Sequence, residues 1–133
     1  MSKKILVVED EKDIRDSLKT ILELNDYEVE TAENGQVGLD KAIERKPDLI
    51  LCDVMMPVLD GFGLLEQLRK KAIETPLIFL TAKAQYNDLR TGMNLGADDY
   101  IFKPFKSAEL LQSIERRLER KDQLEHHLKS LIN

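Results

Sequence analysis

The sequence has few of the features that mark several large classes of protein. Its single cysteine, Cys52, cannot form an internal disulfide, which fits a reducing compartment. No apolar run approaches the roughly 18–20 residues that cross a bilayer. The first residues lead directly into a strand-like run, without the apolar segment of a signal peptide. We therefore expect a cytoplasmic protein that makes no contact with membranes.

An excess of positive charge is also lacking. The formal net charge of the 133 residues is −5, whereas nucleic-acid phosphates require a positive protein face. The Lys and Arg residues of 116–121 alternate with acids, a pattern typical of a solvated helix face with salt bridges. We expect no nucleic-acid binding by this segment. The length suits one globular domain with a single core.

Short apolar runs alternate with segments of helical period, which predicts a doubly wound, three-layer α/β domain with a parallel sheet. The run 49–53 is apolar throughout and should be central, whereas 27–31 alternates in polarity and should form an edge strand. Strands are predicted over 4–8, 27–31, 49–53, 77–80 and 99–102. Helices are predicted over 12–25, from 35 to before Pro47, from 62 to before Thr75, over 85–95, and after Ser107 as N-cap.

The last predicted helix has no stop signal near residue 120. Its apolar positions continue in a 4-3 spacing, interrupted only by Arg117 and Lys121. We expect the domain to cover residues 1–120 and a helical extension to cover 121–133. This extension could pair as a coiled coil, dock on the domain, or remain exposed. Because the helix runs to the end of the sequence, a piece of a longer protein is favoured over a stand-alone domain.

Chemically active side chains follow four of the predicted strands. The carboxyl ends of parallel strands share one edge of the sheet, where open α/β sheets bind ligands. The residues are Glu9, Asp10 and Glu11 after the first strand, Asp53 at the end of the third, Thr81 after the fourth and Lys103 after the fifth.

Two acids that converge at one edge require neutralisation, because like charges otherwise force one of them to bind a proton. Asp53 alone could be a strand-end carboxylate satisfied by backbone amides, but Asp10 is expected at the same edge. A carboxylate site without His or Cys favours a hard cation, Mg²⁺ or Mn²⁺. The only histidines, His126 and His127, lie in the extension.

A carboxylate beside a metal ion and a lysine is suited to nucleophilic attack on a phosphoryl group, which forms an aspartyl phosphate. Asp53 would be the nucleophile, and Lys103 would supply the opposing point charge. The Thr81 hydroxyl would donate a hydrogen bond to a phosphoryl oxygen, or else Thr81 is only a β-branched strand terminus.

These residues, in this order, make residues 1–120 similar to the receiver domain of bacterial two-component response regulators. Each motif alone is weak, and the specificity lies in finding all of them in sequence at strand ends. The matching segments are Glu9-Asp10-Glu11, Asp53-Val54-Met55-Met56-Pro57 with Asp60-Gly61, Thr81-Ala82, Gly96-Ala97-Asp98-Asp99-Tyr100 and Lys103-Pro104-Phe105.

The resemblance implies a flavodoxin-like fold of strand order 2-1-3-4-5 and a cis bond before Pro104. It implies Mg²⁺ bound by Asp10, Asp53 and the backbone carbonyl of Met55, with Glu9 as the neighbouring acid and Glu11 as a possible helper. It further implies a switch in which phosphorylation of Asp53 moves Thr81 and then Tyr100. That movement would change the face formed by the fourth helix, fifth strand and fifth helix.

The implied phosphoryl donor is the phosphohistidine of a sensor histidine kinase or a phosphotransfer protein. The domain would catalyse its own phosphorylation and a slow hydrolysis, with a lifetime influenced by Met55 and Lys83. It would act as a switch rather than as a turnover enzyme. An output or partner would read the phosphorylated state.

Two positions depart from the members that dimerise through this face. Thr91 and Ser113 stand where those members carry basic residues, although Glu109 is present. A homodimer through this face is therefore less favoured, and the C-terminal helix offers another route.

Two other functions share parts of the pattern. A phosphohydrolase of the haloacid dehalogenase type needs an acid two residues after the nucleophile, where this chain has Met55, which cannot transfer a proton. A flavodoxin-like binding module is disfavoured by the acids around Asp53. Cys52 is predicted to be a buried, inert thiol.

Overall fold

The computed structural model describes residues 2–82 and 96–132. The strands are β1 (Lys4–Val8), β2 (Glu28–Ala32), β3 (Leu49–Asp53), β4 (Leu77–Ala82) and β5 (Asp99–Lys103). The helices are α1 (Lys12–Glu23), α2 (Gly35–Arg45), α3 (Gly61–Lys70) and the C-terminal helix (Ser107–Ile132). The helix predicted over 85–95, with Thr91, and also Lys83 lie outside the described residues.

The five strands form one parallel sheet in the order β2-β1-β3-β4-β5. The central strand β3 is buried at every residue, whereas β2 lies at an edge and alternates between exposed and half-buried residues until the buried Ala32 at its end. The doubly wound fold, the strand order and the places of these two strands are therefore confirmed.

Helices cover both faces of the sheet because successive strand residues point to opposite sides. On one face Leu6, Ile50 and Phe79 pack against α2 and α3. On the other, Ile5, Leu51 and Ile78 pack in one cluster with residues of α1 and the C-terminal helix. Cys52 is fully buried on the first face, where burial raises the pKa of its thiol, and the nearby Asp53 carboxylate adds to this. An inert thiol is the expected result.

Several element boundaries differ from the predictions by one or two residues. β4 and β5 extend to Ala82 and Lys103 because these residues pair across the two strands. α1 ends at Glu23, shortly before Asp26 takes a positive φ of 68°. Ser107 is the first helical residue rather than the N-cap, since the amide of Leu110 donates to the carbonyl of Lys106.

The C-terminal helix continues unbroken from the domain into the extension. Two ion pairs hold it where it leaves the sheet, from Lys3 to Asp122 at 2.8 Å and from Lys121 to Asp48 at 3.6 Å. Beyond them, Leu124, Leu128 and Leu131 are 56%, 57% and 69% exposed. The domain boundary near residue 120 stays a prediction.

None of the described helices is long and apolar enough to cross a membrane.

Candidate functional site

Three carboxyl groups meet at the carboxyl edge of the sheet. β1 and β3 are neighbours in register, with Val8 opposite Cys52, so Glu9 and Asp10 emerge beside Asp53. Carboxylate oxygens of these three residues lie within 4.8 Å of one another. Glu9 is fully buried, Asp53 is nearly so, and Asp10 is exposed. The acids are thus brought together as expected. Glu11, by contrast, is exposed and precedes α1 as its N-cap, with no side-chain capping bond.

Lys103 places its ammonium group between two of these acids. Its Nζ lies 3.1 Å from Oε1 of Glu9 and 3.2 Å from Oδ2 of Asp53. Burial lowers the pKa of Lys103. The charges and hydrogen bonds of Asp53 and Glu9 together raise this pKa by more than burial lowers it, so the net shift is upward. The ammonium therefore stays charged. The peptide bond between Lys103 and Pro104 is cis, as the resemblance implies.

Glu9 carries the most perturbed carboxyl group of this edge. Its pKa is raised to about 8, mainly by burial and also by a hydrogen bond to Asp53 and by the Asp53 charge, while Lys103 opposes the shift. Its second oxygen, Oε2, is buried and has no hydrogen-bond partner within the described parts of the chain. A buried carboxyl of this kind is costly to ionise unless a cation joins it.

This donor set fits a hard divalent cation. The three carboxylates offer only oxygen ligands, and Mg²⁺ is usually bound by one or two carboxylates with the rest of its shell left open. The Oε2 atom of Glu9, which has no hydrogen-bond partner among the described residues, is the acceptor that such a charge would stabilise. The residues present are therefore compatible with Mg²⁺ or Mn²⁺ at this edge.

The glycine after the Asp53 loop is required by the packing of α3 against the site. A Cβ on Gly61 would lie 2.4 Å from the carbonyl oxygen of Asp53, closer than real Cβ atoms approach. The amide of Gly61 also donates to the carbonyl of Val54 at 2.8 Å. The side chain of Asp60 caps α3 by accepting from the amide of Gly63 at 2.7 Å. The end of the loop that carries Met55 is thus packed against the backbone of Asp53 and Val54, while the Met55 side chain is 59% exposed.

Thr81 lies on β4, which pairs with β3, and Tyr100 lies on the next strand, β5. Thr81 is fully buried one residue beyond Leu80, which pairs with Asp53. Tyr100 is half-buried, and its ring makes an edge contact with Phe102 at a centroid distance of 5.4 Å. The two residues therefore occupy adjacent strands, as the switch hypothesis requires; their roles stay predictions.

Sequence reasoning missed two contacts at the site. It directed Lys103 toward a phosphoryl group and did not expect its hydrogen bond to Glu9. It also assigned no role to Arg15, whose guanidinium donates to the carbonyls of Glu9 and Asp10 at 2.8 and 3.3 Å. The only available signal was the position of Arg15 in the first turn of a helix that starts beside the acids.

Known proteins are similar to this chain in sequence and in fold. The family model of the response regulator receiver domain matches residues 5–115. The transcriptional regulatory protein DltR of Streptococcus agalactiae is 45% identical over 114 residues, which are 86% of this chain and 51% of that protein. The alkaline phosphatase synthesis transcriptional regulatory protein PhoP of Bacillus subtilis is 45% identical over 122 residues, 92% of this chain and 51% of that protein.

Solved structures agree with the sequence matches. A CheY-like receiver domain protein from Methanospirillum hungatei superposes with a TM-score of 0.87 at 36% identity, over 92% of this chain and 98% of that one. NtrX from Brucella abortus gives a TM-score of 0.88 at 33% identity, over 98% of this chain and 30% of that one. The chain spans about half the length of the curated relatives it matches. With the family model matching most of its length, the chain belongs to the receiver domain family of two-component response regulators, the phosphoacceptor domains of phosphorylation-dependent signalling.

Proposed function

We propose that this domain accepts a phosphoryl group on Asp53 from the phosphohistidine of a sensor histidine kinase or a phosphotransfer protein. The observation that carries the proposal is the position of Lys103, whose ammonium lies within 3.2 Å of both Asp53 and Glu9 at the carboxyl edge of the sheet. A nucleophilic carboxylate beside a fixed cation is the arrangement that phosphoryl transfer requires.

In the proposed step, an oxygen of the Asp53 carboxylate forms a bond to phosphorus while the bond from phosphorus to the donor imidazole nitrogen breaks. The imidazole leaves with the bonding electrons, and the product is an aspartyl phosphate. Lys103 shifts from a partner of two carboxylates to a partner of the phosphoryl oxygens. Thr81, buried at the end of β4, donates its hydroxyl to another of these oxygens.

The cation belongs to the same proposal. Asp10, Asp53 and the backbone carbonyl of Met55 would hold Mg²⁺, or Mn²⁺ in its place, with Glu9 beside them. When bound, the cation neutralises charge on the transferring oxygens. The mutual approach of the three acids within 4.8 Å supports this ligand set.

Intact mass spectrometry tests the phosphoacceptor. The protein is incubated with Mg²⁺ and either acetyl phosphate or phosphoramidate, whose P–N bond is of the type found in phosphohistidine. We expect an adduct of one phosphoryl group that hydroxylamine removes and that Asp53→Asn abolishes. The control Asp40→Asn changes an exposed acid of α2 and should leave the adduct intact. An unchanged adduct in Asp53→Asn would disprove the assignment.

The same experiment separates a switch from a turnover enzyme. The acid that a haloacid dehalogenase-type phosphohydrolase needs is replaced by Met55, which favours one slow cycle of phosphorylation and autodephosphorylation. We expect the adduct to accumulate and then decay, without rapid release of phosphate from small esters. Sustained turnover of p-nitrophenyl phosphate would favour the hydrolase.

The output of the proposed switch is a change on the face that includes Tyr100 and the C-terminal helix. The dianion on Asp53 would draw Thr81 toward it, and Tyr100 would follow. Nuclear magnetic resonance with beryllofluoride, which mimics the phosphoryl group on Asp53, should shift the Tyr100 resonances in the wild type. Thr81→Ala should reduce these shifts while beryllofluoride still binds. Full shifts in Thr81→Ala would remove Thr81 from the switch.

Self-association is a further part of the proposal, through this face or through the C-terminal helix. Asp99 on β5 already accepts a hydrogen bond from Ser113 at 2.8 Å within the same chain. This contact favours dimerisation through the C-terminal helix over dimerisation through the face. Light scattering before and after phosphorylation tests the route. The pair Leu124→Gln and Leu128→Gln should abolish a helix-mediated dimer and leave a face-mediated dimer unchanged.

We place all of these steps in the cytoplasm, in agreement with the single buried cysteine.

A further inference from the structure

Arg15 joins the first helix to the backbone of the acidic turn. One nitrogen of its guanidinium, Nη1, donates to the carbonyl of Glu9 at 2.8 Å and to that of Asp10 at 3.3 Å. The turn between β1 and α1 consists of residues 9–11. A single side chain thus contacts the two backbone carbonyls that flank the carboxylates of the site.

The other side of this turn is held by the sheet. The amide of Glu9 donates to the carbonyl of Ala32 at 3.0 Å, which continues the pairing of β1 with β2. The carbonyl of Glu9 has Arg15 as its partner. The fully buried Glu9 is therefore fixed through its surroundings, whereas Asp10 is exposed and depends on the turn for its direction. Contacts that orient a ligand contribute to metal affinity even when they do not touch the metal.

We infer that Arg15 is a positioning residue for the cation site, which it serves by fixing the backbone of Glu9 and Asp10 so that the Asp10 carboxylate faces Asp53. This inference rests on the cation site of the proposed function. Within the described parts of the chain, the guanidinium of Arg15 donates to the backbone carbonyls of this turn and not to the Asp53 carboxylate. Its effect should appear in the affinity for the cation rather than in the rate at saturating cation.

If Arg15 acted only through its charge, its removal would change metal affinity in the opposite direction from the one that a positioning role predicts. A cation near a divalent metal site repels the metal, so the loss of the Arg15 charge alone would strengthen metal binding. The positioning role predicts weaker binding on loss of the same side chain. The sign of the change therefore distinguishes positioning from simple electrostatics.

The experiment measures Mg²⁺ and Mn²⁺ binding to the unphosphorylated chain by isothermal titration calorimetry, at low and moderate salt. For Arg15→Met we expect about tenfold weaker binding. Arg15→Lys keeps the charge but replaces the planar guanidinium with a single ammonium, and should weaken binding by a smaller factor. The control Lys12→Met removes an exposed positive charge from the same turn of α1, and its binding should be equal or slightly tighter. Urea unfolding checks that each variant is folded.

Phosphorylation by acetyl phosphate at saturating Mg²⁺ gives the second readout. The Arg15→Met protein should reach a rate near that of the wild type once the cation site is filled. Equal or tighter cation binding by both Arg15 variants would overturn the inference while leaving the proposed function intact. If the wild type binds no cation, or Asp10→Asn does not weaken its binding, the proposed cation site fails and the inference fails with it. Should Arg15→Met not fold, the Arg15→Lys titration decides alone.

Discussion

Lys103 and Glu9 are 94 residues apart in the sequence, and the ammonium of Lys103 donates a hydrogen bond to Glu9, with a distance of 3.1 Å between Nζ and Oε1. The contact lies at the edge of the sheet where β5 and β1 end. It holds the ammonium group beside Asp53 before any phosphoryl group arrives. In the proposed phosphoryl transfer this charge would already be in place, which would reduce the reorganisation needed during the reaction.

Replacing Lys103 by Met should slow phosphorylation of Asp53 by acetyl phosphate about a hundredfold or more, because a fixed charge that stabilises the transferring group is lost. The rate is measured by intact mass at saturating Mg²⁺. Lys106→Met removes the same charge from an exposed position three residues away and should keep the wild-type rate. Equal rates in both variants would show that the Lys103 ammonium has no part in the transfer.

The raised pKa of Glu9 predicts how stability depends on pH. The pKa of Glu9 is about 8 in the folded protein and near its ordinary value of 4.5 when unfolded. Between these values the folded state binds more protons than the unfolded state. The stabilisation is therefore fully present below pH 4.5 and is lost as the pH rises through 8, with a slope of at most about 1.4 kcal/mol per pH unit.

Urea unfolding in the presence of a chelator checks this dependence. Glu9→Gln cannot ionise, so its free energy of unfolding should fall less steeply than that of the wild type between pH 5 and 8. Glu33→Gln, which changes an exposed carboxyl, should keep the wild-type slope. A wild-type slope in Glu9→Gln would mean that Glu9 is already ionised at neutral pH in the folded protein.

Two glycines of α3 should differ in their tolerance of a methyl group. In Gly61→Ala the new Cβ would meet the Asp53 carbonyl, which is backbone, at 2.4 Å. We expect a loss of about 1–3 kcal/mol in the free energy of unfolding, together with slower phosphorylation as Asp53 shifts. In Gly63→Ala the nearest atom, at 2.6 Å, is the end of the Leu59 side chain, which can rotate away. That variant should lose less stability and retain its rate, and similar losses in both would contradict the close packing of α3 against Asp53.

Val58 should be replaceable with a gain in stability. It adopts a φ of 71° in the loop after β3, a conformation that is unfavourable for a β-branched residue. Its side chain is 80% exposed, so little packing would be lost on substitution. We expect Val58→Asn to raise the free energy of unfolding by up to about 1 kcal/mol, because Asn accepts this conformation more readily. The midpoint of thermal unfolding measures the change, and an unchanged or lower midpoint would contradict it.

Local sequence patterns predicted most of the fold. The apolar run 49–53 predicted a central strand because it leaves no polar side for solvent, and the alternation at 27–31 predicted an edge for the same reason. Boundaries were less accurate. The ends of β4 and β5 depend on pairing with each other, and the end of α1 depends on the positive φ at Asp26, which composition does not reveal.

The chemistry of the site was likewise visible as residue types at strand ends. Parallel strands bring their carboxyl ends to one edge, so Asp10, Asp53 and Lys103 had to converge once the sheet was predicted. The contacts of Arg15 were not visible, because they depend on how α1 turns back over residues 9 and 10. The need for glycine at position 61 was also hidden, since only the packing of α3 places it against Asp53.

The sequence by itself determined the class of fold, the edge at which the acids meet and the identity of the side chains available for phosphoryl transfer. These follow from local periodicity and from the rule that parallel strands bring their carboxyl ends to one edge of the sheet. The tertiary structure alone decided that Lys103 bridges Glu9 and Asp53, that Glu9 is buried deeply enough to raise its pKa, and that Arg15 holds the acidic turn. Burial and the contacts of Lys103 arise between residues far apart in the chain, so they exist only once the chain is folded. Arg15 and Glu9 are 6 residues apart, and their contact depends on the position of α1 beside the turn.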